Sequence, residues 1–259
     1  MELTIYQVDA FTKNIFGGNP AAICPLEKWL DKDKMQKIAL ENNLSETAFF
    51  VKNGDKYDLR WFTPVNEVNL CGHATLASAF VYFNFINKDA QRIVFSTLSG
   101  DLIVERKDDL LIMNFPSNKP HVITPTKELL DVFPIAPKEV LINTKNVVVF
   151  ETEKQVREMK PDIKGLLKVK GDGAIITAPG EKVDFVSRYF APHEGIDEDP
   201  VTGSAHTHLV PYWSEKLGKK KFHALQVSSR VGELFCEDLG DRVQIAGYAA
   251  LYLIGKIFV

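Results

Sequence analysis

Residues 3–8 alternate apolar and polar positions, as a strand with one buried face does. Gly17-Gly18-Asn19-Pro20 breaks the alternation with a turn, and residues 21–24 read as a second short strand. The period changes over Lys32–Asn42, where Met35, Ile38 and Ala39 fall on one face of an amphipathic helix. Residues 47–51 and 57–62 read as strands around Asn53-Gly54, a hairpin signal. The stretch after Gly72 fits neither template. Ala74, Leu76, Ala77, Ala79, Phe80, Val81 and Phe83 cover a whole helical circumference. A helix that is apolar all round belongs inside a core, so the flanking strands must wrap around it. Residues 92–95, 101–106 and 110–115 supply more of them.

The same plan then recurs. Strands are expected at 147–150, 174–177 and 184–190, helices at 153–159 and 205–217, and further strands to residue 246. Pro211 lies inside the second of these helices and predicts a kink or break. The recurrence is also literal. Arg60-Trp61-Phe62-Thr63-Pro64 precedes Cys71-Gly72-His73-Ala74-Thr75, and Arg188-Tyr189-Phe190-Ala191-Pro192 precedes Thr202-Gly203-Ser204-Ala205-His206. Gly100-Asp101-Leu102 is echoed by Gly232-Glu233-Leu234. The offset grows from 128 residues at Arg60/Arg188 to 131 at Gly72/Gly203 and 132 at Gly100/Gly232. Two related halves follow, 1–116 and 120–248, joined through Phe115-Pro116-Ser117-Asn118-Lys119-Pro120. Residues 249–259 run past the repeat and are expected to form a strand crossing back to the first half. A site at the seam between the halves is expected.

Composition narrows the class. With 259 residues, 45% hydrophobic and 25% charged, the chain is an ordinary globular one. A net charge of −3 gives no electrostatic argument for nucleic acid. The one basic run, Lys219-Lys220-Lys221, reads as a solvated turn before a strand. Cys24, Cys71 and Cys236 are too few and scattered for a disulfide scaffold or a zinc site. The N-terminus lacks the apolar stretch of a signal peptide, and the longest apolar run, 249–254, is too short to span a bilayer. A reduced, cytoplasmic setting is the expectation, with no membrane partner.

Candidate chemistry gathers at the two glycine turns. Each opens a helix, and helix N-termini expose unpaired N–H groups and a partial positive charge. Two of them facing each other would make a carboxylate-sized pocket, with His73 and Ser204 as the first side chains after Gly72 and Gly203. The plainer alternative is that these glycines are only turn residues. Asp197-Glu198-Asp199-Pro200 precedes the second turn. Its acids either cap the helix or, for Asp199, reach the site. Glu46 stands where a helix–strand connection becomes an apolar strand, either exposed or as a partly buried carboxylate suited to proton transfer. Its repeat partner is Asp172, in Gly171-Asp172-Gly173-Ala174, which sits in a glycine turn and reads as a turn residue. Cys71 next to a helix start could act as a base, but a two-thiol racemase needs a second thiol, and Thr202 stands there. A buried structural cysteine is the simpler reading. His206 and His208, two apart on a helix, face different sides and have no further ligands in register, so no metal is expected. No phosphate loop, dinucleotide fingerprint or Ser-His-Asp order occurs.

Phe16-Gly17-Gly18-Asn19-Pro20-Ala21, Ser45-Glu46-Thr47-Ala48, Cys71-Gly72-His73-Ala74-Thr75 and Asp197-Glu198-Asp199-Pro200-Val201-Thr202-Gly203-Ser204-Ala205-His206 together resemble the phenazine-biosynthesis isomerase-like (PhzF-like) family. The resemblance covers nearly the whole chain. It implies an α+β fold of two pseudo-symmetric domains, each a curved, mostly antiparallel sheet around a central helix, shared with diaminopimelate epimerase. It implies no cofactor, and often a homodimer. The family's catalytic glutamate falls on Glu46, and its supporting histidine, aspartate and serine fall on His73, Asp199 and Ser204. Asn19, Gly72, Gly203 and Ser204 are the substrate-binding positions expected with them. The resulting expectation is a cofactor-independent isomerase that shifts a proton on a small carboxylate-bearing metabolite, with Glu46 as general acid/base. The alternatives are an amino-acid racemase or epimerase using Cys71, and a binding protein that kept the fold without turnover.

Overall fold

The alternation near the N-terminus forms β1 (Glu2–Ala10), which the turn-containing segment 11–18 joins to β2 (Asn19–Leu26). Gly18 makes that turn possible. Its φ is +58°, and a Cβ there would lie 2.0 Å from the Ala10 carbonyl oxygen, so no other residue fits without moving the backbone. The chain continues through α1 (Lys32–Asn42), β3 (Glu46–Asn53), β4 (Lys56–Phe62), β5 (Glu67–Val68), α2 (Gly72–Val81), β6 (Arg92–Thr97), β7 (Gly100–Lys107) and β8 (Leu110–Pro116). There follow β9 (His121–Val122), α3 (Lys127–Asp131), β10 (Glu139–Ile142), β11 (Asn146–Val149), α4 (Glu153–Glu158), α5 (Ile163–Leu166), β12 (Ala174–Pro179), β13 (Phe185–Ala191) and β14 (Ile196–Asp199). Last come α6 (Gly203–Leu217), β15 (Lys221–Gln226), β16 (Gly232–Asp238), β17 (Arg242–Gly247) and β18 (Ala249–Phe258). The computed structural model describes residues 1–259. They fall into two units, Met1–Asn114 with Ala246–Val259, and Phe115–Ile245.

In the first unit β18, β1 and β2 are antiparallel neighbours, β2 and β3 run parallel, and β4 returns antiparallel to β3. β4 then pairs antiparallel with β5 and parallel with β6, and β6, β7 and β8 form a meander. This sheet curves around α2, which touches β1, β2, β3 and β18. Ala74, Leu76, Ala77, Ala79 and Val81 have no exposed surface, as expected of an all-apolar helix. Its two hydroxyls survive in the core because each bonds a carbonyl one turn back: Thr75 Oγ1 to Cys71 at 2.6 Å and Ser78 Oγ to Ala74 at 2.7 Å. α1 packs Met35, Ile38 and Ala39 on the other side of the sheet, against Phe49, Phe62 and Leu26.

The second unit repeats this connectivity. β10–β11 is antiparallel, β11–β12 parallel, β12–β13 and β13–β14 antiparallel, β13–β15 parallel and β15–β16 antiparallel. Its helix, α6, buries Ala205, His206, Leu209 and Val210. The break expected at Pro211 does not occur: α6 runs unbroken from Gly203 to Leu217. Proline lacks the N–H that would bond Thr207 one turn earlier. The backbone N–H of Asn118 takes that place at 3.0 Å, and Asn118 Nδ2 adds a bond to Thr207 Oγ1 at 2.9 Å. The chain that leads out of the first half thus satisfies the carbonyl that the proline orphans. The basic run ends α6 as a solvated turn, its lysines paired with Asp184, Asp238 and Glu237.

Candidate active site

The first-unit group is built by three strand and helix starts. Glu46 opens β3, Asn19 opens β2, and His73 is the second residue of α2. All three are buried, and Asn19 is fully so. His73 Nε2 lies 3.0 Å from Glu46 Oε2, an ion-pair contact without hydrogen-bond alignment, which leaves that carboxylate oxygen and that ring nitrogen unsatisfied within protein. On the other side of the ring, Asn19 Nδ2 is 3.2 Å from His73 Nδ1, with Cys71 Sγ at 3.5 Å. Burial works to lower the His73 pKa, but the neighbouring Cys71 and Glu46 outweigh it and hold it well above its ordinary value. The thiol is itself pushed up to about 11, first by burial and then by the charge of Glu46. A thiol held protonated carries no charge near neutral pH, so the Glu46 carboxylate is what favours the imidazolium. Asn19 can answer either state of the ring. Its N–H₂ donates to a neutral Nδ1, and its carbonyl, after an amide flip, accepts from a protonated one.

The second-unit group centres on the start of α6. Thr202, in extended conformation, precedes Gly203, and Ser204 follows it half-buried. Asp199 is buried at the end of β14 and accepts a short hydrogen bond from Thr202 Oγ1. The fully buried amide of Gln226 accepts from the Thr202 N–H at 2.8 Å and donates to the Asp199 carbonyl at 2.8 Å and to Thr202 Oγ1 at 3.1 Å. His206 Nδ1 bonds the Thr202 carbonyl at 2.9 Å.

The ladder registers align the halves residue by residue. Trp61 faces Val68 as Tyr189 faces Asp199, so Val68 is the counterpart of Asp199. Thr47 faces Phe62 as Ala174 faces Phe190. The counterpart of Glu46 is therefore Gly173, one residue beyond Asp172. Gly173 has φ +107°, and a Cβ there would sit 2.4 Å from the Phe190 carbonyl oxygen, so this position holds no side chain at all. One feature is truly duplicated. Arg60 forks onto Glu67 at 2.6 and 2.9 Å, and Arg188 onto Glu198 at 2.7 and 2.8 Å. Each guanidinium also covers the phenylalanine two residues on, Phe62 at 5.3 Å and Phe190 at 4.9 Å. Glu198 thereby anchors the loop before Gly203. The bonds from Arg60 hold Glu67 far below the usual carboxylate range, at about 2.

Of the expected site residues, Glu46, His73, Asn19 and Gly72 are brought together in the first unit. Asp199, Gly203 and Ser204 lie together in the second, with Thr202 and Gln226 joining them. Gln226 carried no sequence signal. Only the neighbouring echo at Gly232 marked that stretch. Cys71 is buried, as the structural reading expected. No helix is long and apolar enough to cross a membrane.

Two curved sheets of repeated topology, each around a central helix, define the architecture of the diaminopimelate epimerase-like proteins. A hydroxyproline epimerase from Agrobacterium vitis, 8% identical, shares this fold with a TM-score of 0.62 over 99% of this chain and 92% of that one. The match is much tighter to a phenazine biosynthesis protein of the PhzF family from Enterococcus faecalis, with a TM-score of 0.98, 45% identity and 100% of both chains covered. An uncharacterized isomerase of Pseudomonas aeruginosa is 49% identical over 257 residues, 99% of each chain. The family model of the phenazine biosynthesis-like proteins matches residues 8–255. The chain belongs to this family.

Proposed function

We propose that the protein is an isomerase that moves a proton between carbons of a small carboxylate-bearing metabolite, with Glu46 as the general acid/base. The observation that carries this reading is the buried Glu46–His73 contact at 3.0 Å, whose facing oxygen and nitrogen have no hydrogen-bond partner in the protein. Leaving such groups unmatched in a core is costly, and a substrate that exchanges a proton with them would satisfy both. In the proposed cycle the Glu46 carboxylate takes the proton from carbon. His73, charged or neutral according to how Asn19 presents its amide, compensates the change at Glu46. The protonated Glu46 then returns that proton to the acceptor carbon, with Asp199 orienting the reacting group as an acceptor and Ser204 binding the substrate. The N–H groups opening α2 at Gly72 and α6 at Gly203 are the proposed anchors of the substrate carboxylate. The chemistry assigned to these residues needs no cofactor.

Glu46→Gln keeps the shape of the side chain and removes the proton acceptor. Solvent-deuterium exchange into a panel of small carboxylates should fall about 10²–10⁴-fold in this variant, with unchanged circular dichroism. Cys71→Ser should retain exchange in the same assay. Full exchange by Glu46→Gln would overturn the mechanism. Loss in Cys71→Ser with retention in Glu46→Gln would point instead to a racemase that uses the thiol.

A further inference from the structure

The second-unit network has a directionality that its hydrogen-bond geometry alone decides. Gln226 cannot be flipped, because its Oε1 faces the backbone N–H of Thr202, which only donates. Its Nε2 must therefore donate, both to the Asp199 carbonyl and to Thr202 Oγ1. A hydroxyl has one proton. With Gln226 supplying a donor to Thr202 Oγ1, that proton turns to the remaining neighbour, Asp199 Oδ2. The chain Gln226 → Thr202 → Asp199 thus runs one way and ends on the carboxylate as an acceptor. Gln226 also bonds the backbone at both ends of the Asp199–Thr202 segment, so the same amide sets where the carboxylate sits.

A second observation comes from the repeat. Gln226 faces Gly232 as Thr97 faces Gly100, so Thr97 is its counterpart in the first half. All three network positions differ there. Val68 stands for Asp199, Cys71 for Thr202 and Thr97 for Gln226. Thr97 spends its hydroxyl on the Gly100 carbonyl of its own hairpin, at 2.7 Å. The buried amide therefore occurs only in the half that carries the aspartate. A general device for bracing the glycine turn would be found in both halves, as the Arg60–Glu67 and Arg188–Glu198 pairs are.

We propose that Gln226 is the positioning residue of Asp199: it fixes the segment that carries the carboxylate and, through the Thr202 hydroxyl, aims a proton at it so that Asp199 stands in the site as an ionised acceptor. The role of Asp199 in turnover rests on the function proposed above, whereas the brace itself does not. Tyr189, which faces Asp199 across the β13–β14 ladder, adds no competing charge, because burial keeps its phenol far above its ordinary pKa. Glu198, next in the chain, is held by Arg188.

The test uses the whole protein labelled with ¹³C at the aspartate carboxyl carbons, with the Asp199 signal assigned by its loss in Asp199→Asn. In Thr202→Val the carboxylate loses the Thr202 hydroxyl bond, and its titration midpoint should move up by about one pH unit or more, with Thr202→Ser returning it to the wild-type value. In Gln226→Leu the midpoint should move the same way, and hydrogen exchange at the Thr202 N–H should quicken at least tenfold. Gln226→Glu keeps the volume but makes the Thr202 hydroxyl donate backwards. It should raise the midpoint even if the leucine variant does not fold. An Asp199 midpoint in Gln226→Glu and Thr202→Val equal to that of the wild type would overturn the proposal. Deuterium exchange on the carboxylate panel separates the two readings. A shifted midpoint with full exchange activity upholds the brace and removes Asp199 from the reaction. A shifted midpoint with at least a tenfold loss, restored by Thr202→Ser, upholds both.

Discussion

At the residue scale, most buried polar groups near the two helix starts are matched, and the unmatched ones carry the consequences. His206 is fully buried, with Nδ1 on the Thr202 carbonyl and Nε2 without a partner. Protonating that ring would bury an unpaired charge, so burial pushes its pKa down to about 4 from 6.5. The unfolded chain, with an ordinary histidine, then binds more protons than the folded one between those values. Stability from this ring is complete above pH 6.5 and is lost as the pH falls towards 4, by about 3 kcal/mol in all. His208, also lowered to about 4 chiefly by burial, adds to the same trend. Urea unfolding of the wild type should therefore weaken more steeply between pH 6.5 and 4.5 than that of His206→Gln. Parallel curves would show that the ring does not set this dependence. Glu46 and His73 show what the sequence could and could not convey at this scale. Their identities and positions were legible in the motifs. That Asn19 sits on the far ring nitrogen was not, because 54 residues separate the two and only the packing of β2 beside α2 joins them.

At the scale of elements, α6 shows how a local rule yields to its surroundings. Pro211 in isolation predicts a break, and the cost of a proline inside a helix is about 3 kcal/mol relative to alanine. What offsets part of it is the Asn118 N–H on the Thr207 carbonyl, a bond from a segment 89 residues away that no local pattern announces. Asn118→Pro would leave this buried carbonyl without its donor and should lower stability by about 1–3 kcal/mol. Asn118→Ala, which keeps the N–H and loses only the side-chain bond, should cost about 1 kcal/mol. Equal unfolding free energies for the two variants in urea would mean that the backbone bond contributes nothing. The all-apolar α2 is the opposite case. Its pattern demanded burial, and it lies against four strands with its hydroxyls turned back onto its own carbonyls.

At the scale of the whole molecule, the chain leaves its first unit at Asn114 and returns at Ala246, so the last strand stabilises the first. β18 runs antiparallel to β1 from Glu2 opposite Phe258 to Ala10 opposite Ala249, with one irregularity at Gln7/Val8. Removing residues 249–259 would leave β1 with an open edge along its whole length, next to the strand that begins with Asn19. Amide protection across β1 and β2 should fall in the truncated protein, while the α6 core of the second unit keeps its own. Hydrogen exchange read by mass spectrometry checks this. Unchanged protection in β1 would show that β18 is dispensable to the first unit.

The sequence by itself determined the periodic elements, the duplication and the chemical identity of the residues at both glycine turns. These depend on local spacing and on motifs that survive in the chain as written. Tertiary structure decided what became of the two copies. The same ladder position holds a carboxylate in Glu46 and must be glycine at Gly173, because there the Phe190 carbonyl occupies the space of a side chain. The same turn is flanked by Val68, Cys71 and Thr97 in one half and by Asp199, Thr202 and Gln226 in the other. Only in the second do the three meet in one hydrogen-bonded chain. Such differences rest on contacts between residues far apart in sequence, within ångströms of one another, and no pattern of hydrophobic and polar positions encodes a distance.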